Sequence, residues 1–452
     1  MKPLYKQILN KITPTENELK EETKLFAEIM GKVENINGKH SHLEWCGSSA
    51  RGTHLRGDRD LDLFVMFSKE LSDKDLEKEG LRIGKNVFRG YEWEKAYSQH
   101  PYIRGNIRGF DVEIVPGFIV KSGKEKKSAV DRTPFHNKFL LERLTPKMRG
   151  DVRLLKQFMK GINAYGADLK NRSLPGYGFE LLIVNYSGFD KTIKAISKWN
   201  PGEVIAFKKV SKKQALKNFE SPLIIIDPVD DSRNVASALS FEQFERMIFA
   251  AQLFLKKPSK RFFFGKTQKT WPKAKVKAML KKKELIAVKA KFPKTILSDL
   301  FWGQLRKFEK KIAGHLREKD FEVTRSSNWS NEDELWFMFE VESLELQTSK
   351  KIVGPFASDE ENVEKFLEKK RKILSGPRVE GGRVVMEVER KETNAKKVLQ
   401  NFIKKSKREE KKGLRSSLKS ARVVVEKEML EEYKGEFAEH LTRYLEGRDI
   451  FE

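Results

Sequence analysis

The sequence predicts a multidomain α+β protein, and three observations carry that prediction. The first ~120 residues read as helix, strand, turn, strand, helix and a strand meander, a small unit with a mixed sheet. From about Lys147 the apolar period becomes helical. Beyond Glu284 a β-α-β-β order resembles half of a ferredoxin-like or RNA-recognition-type sheet, followed by a helix-and-strand tail. No RNP1 consensus accompanies that order. The expected division is a mixed-sheet head over 1–146, a helical neck over 147–256, and a basic body and tail over 257–452.

Each element has its own signal. Thr15-x-x-Glu18 is a capping-box pattern, and Phe26, Ile29, Met30 and Val33 follow at helical spacing. "HLEWC" (42–46) reads as a short strand, and Gly47-Ser48-Ser49 as a turn. Residues 61–67 read as a strand, and Ser72-x-x-Asp75 opens a helix to about Phe88. Extended runs follow at 92–98, 101–107 and 110–116. In the neck, Val152, Leu155, Phe158, Met159 and Ile162 form an apolar stripe, with Arg153, Lys156 and Lys160 on another side. "GYGFELLIVNYSGF" (176–189) and the segment after it continue as helix, 222–236 is a buried strand running into a loop, and 240–256 is helical. Later come a strand at 285–292, a helix from Ser298, strands at 321–327 and 335–345, a helix at 358–373 and a strand at 383–389.

Charge narrows the partner. Lys and Arg number 91 against 65 Asp and Glu, a formal net charge of +26, which favours a polyanion, nucleic acid first. Residues 256–294 hold fifteen Lys/Arg and one acid, Glu284, with Phe262, Phe263, Phe264 and Trp271 among them. That interleaving suits backbone neutralisation with base stacking. The single cysteine, Cys46, excludes an intrachain disulfide and a cysteine-based zinc site, and reads as a small buried residue ending a strand. No apolar run nears the ~20 residues of a membrane span, and "MKPLYKQILNKITPTENE" has no apolar signal core, so the chain reads as cytoplasmic, without a membrane partner.

The chemistry concentrates in "GSSARGTHLRGDRDLDLFVMF" (47–67). Gly47 and the serines make a tight turn whose N–H groups can face an anion, and a short helix starting there would add its dipole. Arg51 supplies a fixed positive charge for phosphate. Asp60 and Asp62 lie two apart on a strand, so both face one way, with Cα atoms ~7 Å apart, while Leu61, Leu63, Val65 and Phe67 face the other. Two unpaired carboxylates on one face repel, and a divalent cation removes that cost. Mg²⁺ takes such carboxylates together with phosphate oxygens. A third carboxylate belongs on a neighbouring strand, where "GFDVEIVP" offers Asp111 and Glu113 on one face. Such a set would activate a 3′-hydroxyl and stabilise leaving pyrophosphate, which is nucleotidyl transfer.

The pattern G-S-x(8–13)-D-x-D with a later strand carboxylate resembles the DNA polymerase beta-type nucleotidyltransferase superfamily. "SAVDRTPFH" (128–136), "VRLLKQFMKGINAYGA" (152–167), "GYGFELLIVNYSGF" and "DPVDDSRNVA" (227–236) narrow it. They resemble the archaeal-type, class I CCA-adding tRNA nucleotidyltransferases. The likeness is close through head and neck and looser through "RFFFGK" (261–266), "GPFASDEENVEKFL" (354–367) and "GGRVVMEVERKET" (381–393). The resemblance implies template-independent rebuilding of the tRNA 3′ CCA end from CTP and ATP. By matching position it implies that Ser48 and Arg51 bind the triphosphate. It makes Asp60, Asp62 and Glu113 the Mg²⁺ ligands, has His136, Lys156 and Tyr165 contact phosphates and sugar, and has Arg233 help select the base.

The expected partners are the tRNA acceptor stem and 3′ end, CTP and ATP, with homodimerisation left open. Lys156, a point charge opposite the apolar stripe, suits a phosphate, and Asp230 and Asp231 are alternative partners for Arg233. The family usually carries aspartate where this chain has Glu113, whose extra methylene adds ~1.5 Å of reach, so Asp111 stands as an alternative ligand. The competing readings are a poly(A) polymerase or other terminal RNA nucleotidyltransferase, and a catalytically dead RNA-binding homologue.

Overall fold

The computed structural model describes residues 2–37, 41–97, 100–265, 269–293, 298–449 and 451. Ser98, Lys266 and Lys294, at the ends of segments singled out above, lie outside the described residues. The chain forms two compact units, Met1–Lys266 with Asp449–Glu452, and Thr267–Arg448.

The first unit begins with a mixed sheet. Its strands are β1 (Ser41–Cys46), β2 (Asp60–Ser68), β3 (Trp93–Tyr97), β4 (Pro101–Ile107) and β5 (Phe110–Ile119), in the order β1-β2-β5-β4-β3. β2 and β5 run parallel and the other pairs antiparallel. The helices Glu16–Asn37 and Asp73–Val87 supply apolar residues to one sheet face, where Leu25, Ile29, Val33 and Ile83 join Leu61, Leu63, Val65, Val112 and Ile114 in a single core. Strand alternation explains the result, because these odd and even positions leave the acids on the opposite face. Thr15 and Glu18 close their capping box, Thr15 N–H to Glu18 Oε2 at 2.6 Å and Glu18 N–H to Thr15 Oγ1 at 3.2 Å. Cys46 is buried at the end of β1.

The helices Pro146–Gly161, Gly176–Tyr186, Phe189–Ile196 and Phe241–Lys256 share the largest core of the same unit. The run predicted as one helix over 176–189 breaks at Ser187 (φ 58°) and Gly188 (φ 124°), a left-handed turn that redirects the chain. A small sheet joins β6 (Glu203–Ile205), β7 (Leu223–Asp227) and β8 (Asp230–Asn234). β8 occupies a stretch predicted as loop. Among the described residues it is a polar edge strand paired only with β7, so it lacks the apolar alternation that marks strands.

The aromatic-basic stretch behaves differently from its composition. Phe262 and Phe263 are 5% and 0% exposed and pack among Phe158, Phe254 and Phe451. A Cβ on Gly161 would stand 2.4 Å from the Phe262 carbonyl, so that glycine lets the segment close onto the helix. The expected base-stacking role is therefore corrected for both rings, and of the triplet only Phe264 is well exposed.

The second unit holds β9 (Leu285–Lys291), the helix Ser298–Glu318, β10 (Val323–Ser330) and β11 (Glu334–Val341). An inserted sheet follows, β12 (Ser349–Phe356), β13 (Ile373–Glu380) and β14 (Arg383–Glu389), in the order β12-β14-β13. The helix Ala395–Glu409 and β15 (Arg422–Val424) complete a four-stranded antiparallel sheet, β10-β11-β9-β15. The helix predicted over 358–373 ends at Leu367, and β13 follows it. Gly376 and Pro377 inside β13 mimic a loop, and register shifts near them accommodate a proline on an edge strand. Trp271 packs against the core around Trp336, with Lys275 Nζ 3.6 Å above its ring. Among the described residues no helix is long and apolar enough to cross a membrane.

Candidate active site on the mixed sheet

Parallel pairing of β2 with β5 sets the acids in register, Asp60 opposite Asp111 and Asp62 opposite Glu113. All four stand on the face opposite the apolar core. Burial, then the Glu113 and Asp60 charges, push the Asp62 carboxyl up to about 6. Burial likewise raises Asp60, with Asp58 and Asp111 adding to it, and raises Glu113 against the pull of Arg104 and Tyr102. A crowded acid set with raised proton affinity is short of positive charge.

The turn before it is built around one of these acids. Gly47 has φ +77°, and a Cβ there would fall 1.9 Å from Asp62 Oδ2. Glycine thus serves both the left-handed backbone and the space the carboxylate occupies. The helix Gly47–Ala50, which includes Ser48, is a single turn, so it offers backbone N–H groups rather than a long macrodipole. Thr53 N–H donates to the Ser48 carbonyl at 2.9 Å, and Trp45 Nε1 to Ser49 Oγ at 2.9 Å, which fix the turn.

Arg51 leaves that turn and is buried. Its guanidinium donates to Glu180 at 2.7 and 3.2 Å and to Asn137 Oδ1 at 3.0 Å. Glu180, 0% exposed, also accepts from the Thr53 hydroxyl and lies 3.8 Å from Lys156 Nζ. Burial alone would raise Glu180, but Arg51, Lys156 and Thr53 hold it below the usual carboxylate range. Lys156 is 2% exposed, although the sequence sets it opposite the apolar stripe. Its Nζ donates to the Thr53 carbonyl at 3.2 Å, and burial depresses its pKa despite Glu180.

Tyr165 is set by a bridge to Leu174 and by stacking on Phe179 at 5.4 Å. Tyr165 Oη and Lys156 Nζ converge at Gly176, where a Cβ would lie 3.0 and 3.6 Å from them.

A second cluster gathers on Asp227, at the end of β7. His136 Nε2 and Arg233 both meet its Oδ2 at 2.8 Å, and the His136 ring lies 4.3 Å from that of Tyr177. Burial opposes its ionisation, but the bonds from His136 and Arg233 keep Asp227 below the ordinary value. Arg233 therefore pairs with neither Asp230 nor Asp231. Asp230 is taken by Lys126 and Arg132, and Asp231 by Lys124. Asp131 of "SAVDR" is structural, accepting from the N–H groups of Phe118, Lys127 and Ser128.

The structure thus groups the predicted residues as an acid face (Asp60, Asp62, Glu113), a turn with buried cations (Ser48, Arg51, Lys156, with Tyr165), and a pair on Asp227 (His136, Arg233). Tyr177 lies between the last two and feels the charges of Asp227, Arg233, Arg51 and Glu180. Sequence reasoning missed Glu180, Asp227 and Tyr177. A lone acid inside the apolar run "GYGFELLIVNY" was the available signal for Glu180.

Among the described residues no three His, Cys, Asp or Glu side chains gather into a metal-binding group as they stand. The donor set itself fits a hard divalent cation. It is all oxygen, acid-rich and undercompensated, with one carboxylate cradled where glycine leaves room.

Comparison with known proteins follows these regions. A nucleotidyltransferase-domain family model matches residues 27–136, the model for the tRNA nucleotidyltransferase second domain matches 150–264, and that for the CCA-adding enzyme C-terminal domain matches 281–427. A CCA-adding enzyme of Methanosarcina mazei is 38% identical over 402 residues, covering 87% of each chain. One of Methanococcus maripaludis is 37% identical over 379 residues, covering 80% of this chain and 84% of that one. One of Saccharolobus shibatae is 34% identical over 400 residues, covering 88% and 92%. A solved cytoplasmic RNA terminal U-transferase has a TM-score of 0.46 and 18% identity, covering 57% of this chain and 96% of that chain. With such identity over most of its length, this chain is an enzyme and belongs to the archaeal-type CCA-adding tRNA nucleotidyltransferase family.

Proposed function

We propose that the chain adds and repairs the 3′-terminal CCA of tRNA, using CTP and ATP without a nucleic-acid template. The observation that carries this reading is the in-register acid face beside a glycine turn, in a chain of this family. In each cycle the terminal 3′-oxygen bonds to the α-phosphorus, the bond to the β-phosphate oxygen breaks, pyrophosphate leaves, and the hydroxyl proton passes toward the carboxylate face. Mg²⁺ held by Asp60, Asp62 and Glu113 would neutralise triphosphate charge and acidify the attacking hydroxyl.

The protein's own groups position the rest. Ser48 and the turn bind the triphosphate, and Arg51 joins them because a guanidinium has more donors than its three bonds use. Lys156 and Tyr165, whose polar ends converge at Gly176, reach the nucleotide's phosphates and sugar. His136 contacts it from the Asp227 cluster. There Asp227 fixes the guanidinium of Arg233, which presents its remaining donors to the base. One arginine fork cannot read both cytosine and adenine, so the RNA end helps define the pocket.

We assign catalysis to the head (1–146), base recognition to the neck (147–256) and tRNA binding to the basic body and tail (257–452). The order β10-β11-β9-β15, antiparallel throughout, supports a ferredoxin-like body carrying an inserted sheet. Such a body grips the acceptor stem through backbone and shape. We place the activity in the cytoplasm.

The test is Mg²⁺-dependent incorporation into tRNA lacking CCA, with CTP, ATP or both, followed by product sequencing. The expected product ends in CCA. Long A tails would make the enzyme a poly(A) polymerase, and no incorporation would make it an RNA-binding homologue.

A further inference from the structure

The acid face continues across two more strands. Asp62 of β2 stands opposite Glu113 of β5, Glu113 opposite Arg104 of β4, and Arg104 opposite Glu94 of β3. Arg104 is the obvious counter-charge for Glu113, yet its fork is spent outward, on Glu94 at 2.6 and 2.7 Å. The group whose hydrogen bond lands on Glu113 is Tyr102, two residues before Arg104 on the same face of β4. Its hydroxyl donates to Glu113 Oε1 at 3.4 Å. Residues two apart on neighbouring strands are diagonal neighbours, close enough for long side chains to meet. The Tyr102 ring is seated independently, against the cluster of Cys46, Phe64, Met66, Val115 and Val130.

Asp111 has a different anchor. Asn106 lies opposite it and donates to its Oδ1 at 3.0 Å. The Oδ1 of Asn106 also accepts from Gly109 N–H at 2.8 Å. Asp111 is therefore tied to the β4–β5 turn, while Glu113 is tied to a ring packed against side chains of β1, β2 and β5. A glutamate has one more rotatable bond than an aspartate, so it needs an added restraint to hold one geometry. Outer contacts of this kind orient ligating carboxylates.

We propose that Tyr102 is a positioning residue for Glu113, restraining the longer side chain so that its carboxylate faces the same cation as Asp60 and Asp62. This rests on the reading that Glu113 is a metal ligand. An aspartate at 113 would be shorter by ~1.5 Å and out of reach of the hydroxyl, so Tyr102 has a partner only while residue 113 is glutamate.

The experiment measures Mn²⁺ binding to the full-length protein, by the electron paramagnetic resonance signal of free Mn²⁺, beside the thermal midpoint without metal. Tyr102→Phe keeps the ring and removes the hydroxyl. It should weaken Mn²⁺ binding about tenfold with an unchanged midpoint. In a Glu113→Asp background the same change should cost less than about twofold. An equal loss in both backgrounds, or none in the wild-type background while Glu113→Ala weakens binding, overturns the proposal. If Glu113→Ala itself leaves Mn²⁺ binding intact, the ligand assignment fails, and the proposal fails with it.

Discussion

Asp62 and Glu180 are carboxylates in the same unit, each close to cations, and their proton affinities move in opposite directions. Asp62 is pushed up to about 6, whereas Glu180 is held below its ordinary range although it is fully buried. The partners explain the contrast. Glu180 receives two N–H groups from one edge of Arg51, the Thr53 hydroxyl and the charge of Lys156. Asp62 faces Glu113 and Asp60. A carboxylate whose neighbours complete its charge is part of the scaffold. One surrounded by like charge is arranged for something that arrives later.

The largest expected effect tests the scaffold side. Glu180→Ala leaves Arg51 and Lys156 buried without a counter-charge, and should cost about 3–5 kcal/mol of stability in a denaturant titration. A cost below about 1 kcal/mol would break the comparison, because the cluster would then be incidental.

Next come the acids of the proposed active site. Asp60→Ala and Asp62→Ala should abolish addition, beyond the ~100-fold loss typical of an outer contact to a metal site. Their metal-free thermal midpoints should hold or rise, since each removes a repelling charge. If Asp62→Ala melted as early as Glu180→Ala, the two acids would be of one kind. Glu113→Ala should be severe and Asp111→Ala mild in the same incorporation assay. A lethal Asp111→Ala would move the third ligand to that residue.

The smallest effect is a pH slope. Glu22, like Asp62, is a buried carboxylate without a strong counter-charge, and burial raises it to about 7 from 4.5, against a weaker hydrogen bond to Ser49. The folded chain keeps a proton there that the unfolded chain releases. This contribution to stability is therefore complete below about 4.5 and is lost as pH rises through about 7. Glu22→Gln should flatten metal-free stability over that window, measured by denaturant midpoints at several pH values. An unchanged slope would place the titration in another group.

The parts of this site legible in the sequence were those governed by local periodicity. Alternation along 60–67 and 110–114 put the acids on one face and the aliphatic residues on the other, and the β2–β5 register followed that division. Gly47 announced a turn, though only the structure shows that it also makes room for Asp62. What stayed hidden depends on contacts far apart in sequence. Arg51 and Glu180 are 129 positions apart, and no local pattern links them. Asp230 and Asp231, the alternative partners near Arg233 in sequence, are occupied by Lys126, Arg132 and Lys124. Phe262 and Phe263 looked like a stacking platform because the surrounding charge was legible, whereas the cleft opened by Gly161 was not.

The Glu180 cluster also bears on heredity. A gene fragment encoding only residues 1–146 would carry Arg51 and Thr53 to a new host protein without the carboxylate that receives them. The arginine would keep its bond to Asn137 but lose its counter-charge. The mixed sheet is thus not a freely transferable cassette, and recombination that separates it from the helix Gly176–Tyr186 must supply another acid at that spot.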